Sequence, residues 1–141
     1  MLQDVDLLTP EPSVQKKPRR YQRRTVPAPL TKLSILILCY HEAATIADIL
    51  DQVIDVPLYQ GIEKEIIVVN ECSTDDTHLI VIEYLEDNPG LPIRYTCHHS
   101  NWGKGAAIHT ALSQATGDYM LIQDFRTLFC LLKYTLFVKK H

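Results

Sequence analysis

The chain predicts an α/β fold: a three-layer α/β/α sandwich in which helices cover both faces of a mostly parallel sheet. Two observations carry that expectation. Between residues 33 and 123, apolar strand-like runs alternate with amphipathic stretches, and right-handed crossovers place such helices over both faces of a shared sheet. Four strand-like runs, residues 33–39, 66–69, 93–98 and 119–122, each lead straight into a short polar cluster.

The elements follow in order. Residues 33–39 form an apolar first strand, after which Ile46, Ile49, Leu50, Val53 and Ile54 recur at helical spacing and make one apolar stripe. A turn around Pro57 to Gly61 returns the chain to Glu65-Ile66-Ile67-Val68-Val69, an almost unbroken apolar run of the kind buried on both faces. Ser73, with Asp76 three residues on, predicts a capping box. Leu79, Ile82 and Leu85 predict the inward side of the second helix, which Asn88-Pro89-Gly90 stops. The third helix spans about residues 104–116, with Ile108, Ala111, Leu112 and Ala115 inward and Gly117 ending it. The order is β-α-β-α-β-α-β.

If the strands are parallel neighbours, the polar clusters gather on one sheet edge, where open α/β sheets bind ligands. The clusters are Cys39-Tyr40-His41-Glu42, Asn70-Glu71-Cys72-Ser73-Thr74-Asp75, Asn101-Trp102-Gly103-Lys104-Gly105 and Gln123-Asp124. Carboxylates and a lysine among glycines and hydroxyls suit a nucleotide better than an apolar ligand.

With 141 residues and 46% hydrophobic content, the chain can bury one core but not two. The net charge of −3 hides a division. Residues 1–32 carry Lys16, Lys17, Arg19, Arg20, Arg23, Arg24 and Lys32 against Asp4, Asp6 and Glu11, and hold five of the eight prolines. That segment reads as a disordered, cationic lead-in serving solubility or tethering rather than attraction to anionic lipid or nucleic acid. It lacks the apolar core of a signal peptide. Cys39, Cys72, Cys97 and Cys130 show no C-x-x-C spacing, which argues for reduced thiols in a cytosolic protein rather than a zinc site or disulfide framework. His98 and His99 are adjacent, so on a strand they point to opposite faces and read as structural or exposed rather than as a metal pair.

Taken in order, residues 33–42, 65–75, 101–107 and 115–124 resemble the nucleotide-binding half of family-2 glycosyltransferases, a GT-A, Rossmann-like fold, and within it the dolichyl- or polyprenyl-phosphate sugar transferases. The resemblance implies a nucleoside-diphosphate sugar as donor and a polyprenyl-phosphate or glycan as acceptor, with no specific nucleic acid partner. The location expected from the thiols is cytoplasmic, with peripheral association at the inner membrane face left open. The implied donor-binding residues are Cys39, Tyr40, Glu42, Asn70, Glu71, Lys104 and Asp124. Tyr40 can offer a flat surface to a base, and Glu42 and Glu71 can accept from its N–H groups. Lys104 can face a diphosphate. The family usually has proline at Cys39, Asn or Asp at His41, and aspartate at Glu71. Each residue also has a structural use: Tyr40 in packing, Glu42 at a helix N-terminus, Lys104 in solvent.

The family's Asp-x-Asp implies a Mg²⁺ or Mn²⁺ site with Asp124 as a ligand. This chain reads Asp124-Phe125-Arg126, and arginine is permanently positive and ligates no cation. Residues 125–141 form an atypical apolar tail, too short for a spanning helix. It is expected to pack poorly and to favour self-association, as a frame change or truncation after Asp124 would produce; a genuine short variant is the rival account. The expected unit is thus residues 33–124, a nucleotide-sugar-binding domain whose transfer activity is impaired or lost. Two other readings stay open: a nucleotide-binding module without turnover, or another doubly wound protein such as a nucleotidyltransferase. A dinucleotide-binding fold would show G-x-G-x-x-G after the first strand, where this chain has none.

Overall fold

The structure is a computed structural model that describes residues 29–59 and 61–123, and the backbone of 137–139. Its elements are β1 (Lys32–Cys39), α1 (Ile46–Asp55), β2 (Glu63–Asn70), α2 (Thr77–Asp87), β3 (Ile93–Cys97), α3 (Lys104–Gln114), β4 (Tyr119–Gln123) and β5 (Phe137–Lys139). The sheet order is β3-β2-β1-β4-β5. β1 through β4 run parallel, and β5 joins β4 antiparallel. The chain steps outward from β1 through β2 to β3, then returns on α3 to place β4 on the other side of β1. That reversal makes the β1–β4 junction a topological switch point.

Two core layers follow from strand alternation. Leu33, Ile35, Ile37 and Cys39 of β1 join Ile66 and Val68 of β2 beneath α1 and α2, whereas Leu36, Leu38, Ile67 and Val69 face Ala107 and Ala111 of α3 and Ala115 just beyond it. Both faces of the two central strands are therefore covered, as the unbroken apolar runs require. The small alanines of α3 let that helix lie close against the sheet.

The stripe expected on α1 is the one buried, with Ile46, Ile49, Leu50 and Val53 inside and Ile54 partly so. Three expectations differ from the structure. The inward side of α2 is Thr77, Ile80, Val81, Tyr84 and Leu85, and Leu79 is exposed; the apolar residues of α2 run nearly all round, so periodicity did not set its phase. Ser73 does not cap α2, because its hydroxyl is taken by Asn70, and Asp75 accepts from Thr77 N–H instead. Gly117 lies beyond the end of α3, and its constraint is space: a Cβ there would sit 2.5 Å from Ser34 Oγ and 2.9 Å from Lys32 O.

At the lower, amino edge of the sheet, Glu65 is buried and accepts from Ser34 Oγ at 2.6 Å and from Thr116 through its N–H and hydroxyl, with Lys32 Nζ 3.4 Å away. Burial alone would push its carboxyl up. The bonds from Ser34 and Thr116 and the Lys32 charge outweigh it and bring it down to about 2. Ser34 Oγ also accepts from Gly117 N–H. The turn into β4 is thereby tied to β1 and β2. Lys32, which the sequence places in the lead-in, opens β1, and Thr31 donates twice to Asp118.

Candidate functional site

Parallel pairing aligns the strand ends. Cys39 pairs with Asn70 and Asn70 with Cys97, so the residues that follow, Tyr40, Glu71 and His98, leave the sheet level with one another. β4 enters the same register, with Gln123 beside Ile37. The rim expected from the sequence exists for the first three clusters; Asp124 and residues 125–136 and 140–141 lie outside the described residues.

Two hydrogen-bond relays lock the β1–α1 loop to the β2–α2 loop. His41 N–H donates to Ser73 Oγ at 3.0 Å, and Ser73 Oγ donates to Asn70 Oδ1 at 2.7 Å. Glu42 N–H donates to Thr77 Oγ1 at 2.9 Å, and Thr77 Oγ1 donates to Asp75 Oδ1. His41 Nε2 lies 2.9 Å from Thr74 Oγ1, Ala43 N–H reaches Asp75 Oδ2, and Glu71 N–H donates to Cys39 O. Each hydroxyl both accepts from one loop and donates within the other, a use only Ser or Thr can serve at that size. The bonds from Thr77 and Ala43, helped by His41, hold the exposed Asp75 carboxyl below the usual range. The sequence flagged these residues as a polar cluster but not as a clasp; hydroxyls beside Asn and Asp in a loop were the available signal.

Asn70 is fully buried and is the hub of this arrangement. Oδ1 accepts from Ser73 N–H and Oγ, Nδ2 donates to Tyr95 Oη at 3.0 Å, and its carbonyl accepts from His98 N–H. The side chain is engaged within the protein, so Asn70 shapes the rim instead of presenting a free group to it. His41 (φ 54°) and Cys72 (φ 66°) adopt left-handed backbone, a conformation costing non-glycine residues about 1 kcal/mol each. Surrounding bonds hold both in place.

The presented groups are few. Tyr40 is half exposed and stacks on His41, with ring centroids 4.0 Å apart and planes at 25°, so one face is already packed. Glu42 is partly buried and accepts from Thr45 Oγ1. Glu71 is partly buried at the end of β2. Lys104 is exposed at the first position of α3, preceded by Gly103 at φ 87°, which only glycine adopts without strain. Cys39 is not at the rim: its side chain is in the core, its thiol bonds Val69 O, and burial first, then Cys97 and nearby carboxylates, pushes it up to about 12.

Residues 34–124 match the family model of Glycosyl transferase family 2. The chain belongs to that family. This family-2 chain is 31% identical over 99 residues to the poly-β-1,6-N-acetyl-D-glucosamine synthase of Staphylococcus aureus (strain COL), an alignment covering 70% of this chain and 23% of that protein. Among solved structures it is similar to the mannosyltransferase PcManGT from Pyrobaculum calidifontis in complex with GDP-Man and Mn²⁺, at 31% identity and TM-score 0.59, covering 70% of this chain and 28% of that one. It is also similar to S. aureus TarS 1-349 in complex with UDP-GlcNAc, at 30% identity and TM-score 0.57, covering 66% and 26%. The layered sheet is that of a GT-A, Rossmann-like fold. The chain spans about a quarter of the length of these relatives.

PcManGT holds Mn²⁺. Among the described residues of this family-2 chain, no group of three or more His, Cys, Asp or Glu side chains could hold a metal ion. Glu42 accepts from Thr45, and Asp75 accepts from Thr77. Asp124, the metal ligand that the sequence resemblance implies, lies outside the described residues. What the rim offers is stacking and hydrogen bonding. A cavity of about 460 Å³ lies at the opposite, amino edge, among Lys32, Glu65, Pro92 and Arg94. Within it Lys32 pairs with Glu65, and Arg94 donates to Gln114 O. Among the described residues, no helix is long and apolar enough to cross a membrane.

Proposed function

We propose that this rim binds a nucleoside-diphosphate sugar and that residues 33–124 are the donor-binding unit of a glycosyltransferase acting on a polyprenyl-phosphate or glycan acceptor. The observation that carries the reading is the double relay that sets Tyr40, Glu42 and Glu71 side by side on one sheet edge. The free face of Tyr40 takes the base, and Glu71 accepts from its N–H groups. Lys104, at the positive end of α3, lies ready for phosphate. The relatives support this: solved neighbours carry GDP-Man and UDP-GlcNAc. Departure of a diphosphate needs cationic stabilisation, which Asp-x-Asp enzymes take from a metal. With Arg126 at the second position, the expected behaviour of this chain is binding without transfer.

The test is calorimetric titration of the full chain with UDP-GlcNAc and GDP-mannose, with and without Mn²⁺, beside a transfer assay to polyprenyl phosphate. Saturable binding of at least one donor, weakened about tenfold in Tyr40→Ala, supports the reading. Binding of neither overturns it, and measurable transfer overturns the impairment.

A further inference from the structure

The chain's one tryptophan, Trp102, stands on the loop after β3 with 62% of its surface exposed. It is not a loose side chain. Its ring rests on His98, centroids 5.0 Å apart at 44°, and His98 is buried with Nε2 2.8 Å from Thr110 Oγ1 and its N–H bonded to Asn70 O. Cys72 Sγ, one residue from Glu71, reaches His99 O at 3.5 Å and joins this loop to the acidic one. Along the rim the order is therefore Trp102 after β3, Glu71 after β2 and Tyr40 after β1. An aromatic held from behind and open in front loses little side-chain freedom when a flat ligand stacks on it.

We propose that Trp102 is a second nucleobase-stacking surface of the rim, a role that rests on the nucleotide reading of that rim. Charge decides which part of the ligand belongs there. Glu71 directly follows the neighbouring strand β2, and a carboxylate there accepts from the N–H groups of an uncharged base but repels a diphosphate, which falls instead to Lys104 at the start of α3. Stacking is tolerant of base identity, so both uracil and guanine nucleotides use it.

The experiment titrates the full chain by calorimetry with UDP, GDP and inorganic pyrophosphate, as wild type, Trp102→Ala and Trp102→Phe. The exposed position lets both variants fold, which circular dichroism checks. The proposal expects Trp102→Ala to weaken UDP or GDP about tenfold, Trp102→Phe to keep most of the affinity, and pyrophosphate to be indifferent to either change. In the wild type, Trp102 fluorescence should be quenched saturably by nucleotide. Nucleotide affinity unchanged in Trp102→Ala overturns this proposal and leaves the nucleotide reading standing. An equal loss for pyrophosphate also overturns it, since the residue would then be acting on phosphate. A wild type that binds neither nucleotide overturns both.

Discussion

Asn70 Oδ1 accepts two hydrogen bonds from Ser73, from its N–H at 2.9 Å and its hydroxyl at 2.7 Å, and so folds the acidic loop back onto the end of β2. Because Ser73 Oγ then accepts from His41 N–H, the same contact sets the backbone beneath Tyr40. A buried amide at the end of β2 thus controls an exposed aromatic at the end of the neighbouring β1.

Asn70→Ala should leave Ser73 and Tyr95 without their buried partner and cost about 2 kcal/mol of stability, on the order expected for orphaned polar groups. Urea denaturation measures the loss. Nucleotide affinity should fall further than the stability change alone explains, because the loop carrying Glu71 is released; an affinity equal to wild type in the still-folded variant would contradict the hub role.

Glu65 makes stability depend on acid. Its folded carboxyl is depressed to about 2 from an ordinary 4.5, so its contribution is fully present above the ordinary value and is lost as pH falls through the folded one. The shift corresponds to roughly 3 kcal/mol. Denaturation midpoints should drop between pH 4.5 and 2. Glu65→Gln should be less stable at pH 7 and show a flatter acid profile over that window; an identical profile would mean the carboxylate is not the source.

Gly117→Ala should destabilise the fold by about 1–3 kcal/mol, the usual range for overpacking. The added Cβ meets Ser34 Oγ, but also Ser34 N at 2.8 Å and Lys32 O at 2.9 Å. Removing the hydroxyl with Ser34→Ala should therefore rescue only part of the loss. Full rescue in thermal melts would show that the backbone of β1 yields more readily than its buried position suggests.

Native-state alkylation should spare Cys39. Its thiol is fully buried and raised to about 12, so almost no thiolate exists at neutral pH. Cys97 is exposed and Cys72 partly so. Mass spectrometry after brief iodoacetamide treatment should find label on Cys97 and Cys72 before Cys39, with Cys39 modified only on unfolding.

Much of the architecture is legible in the residues themselves. The unbroken run at Ile66–Val69 announces a strand buried on both faces, and the stripe at Ile46, Ile49, Leu50 and Val53 announces a helix laid on a sheet, because burial and backbone period leave few other ways to satisfy them. The phase of α2 was not legible: apolar side chains nearly encircle it, and only contact with α1 and the sheet selects Val81 over Leu79. Lys64 is a similar case. At the start of β2, its ammonium donates to the carbonyls of Val53 and Ile54 in the last turn of α1 and of Val56 just beyond it.

The sequence by itself determined the order of elements from β1 to β4, their parallel direction and the position of three polar clusters at strand ends, since periodicity and chain polarity are local properties; the antiparallel β5 was not read from it. Tertiary structure alone decided which of those polar residues face outward. Cys39 and Asn70 sit beside Tyr40 and Glu71 in the chain, yet alternation along a twisted strand and contact with Val69, Ser73 and Tyr95 turn them inward. The division between residues that shape the rim and residues that present to it comes from pairings across some thirty positions, and no local pattern encodes those.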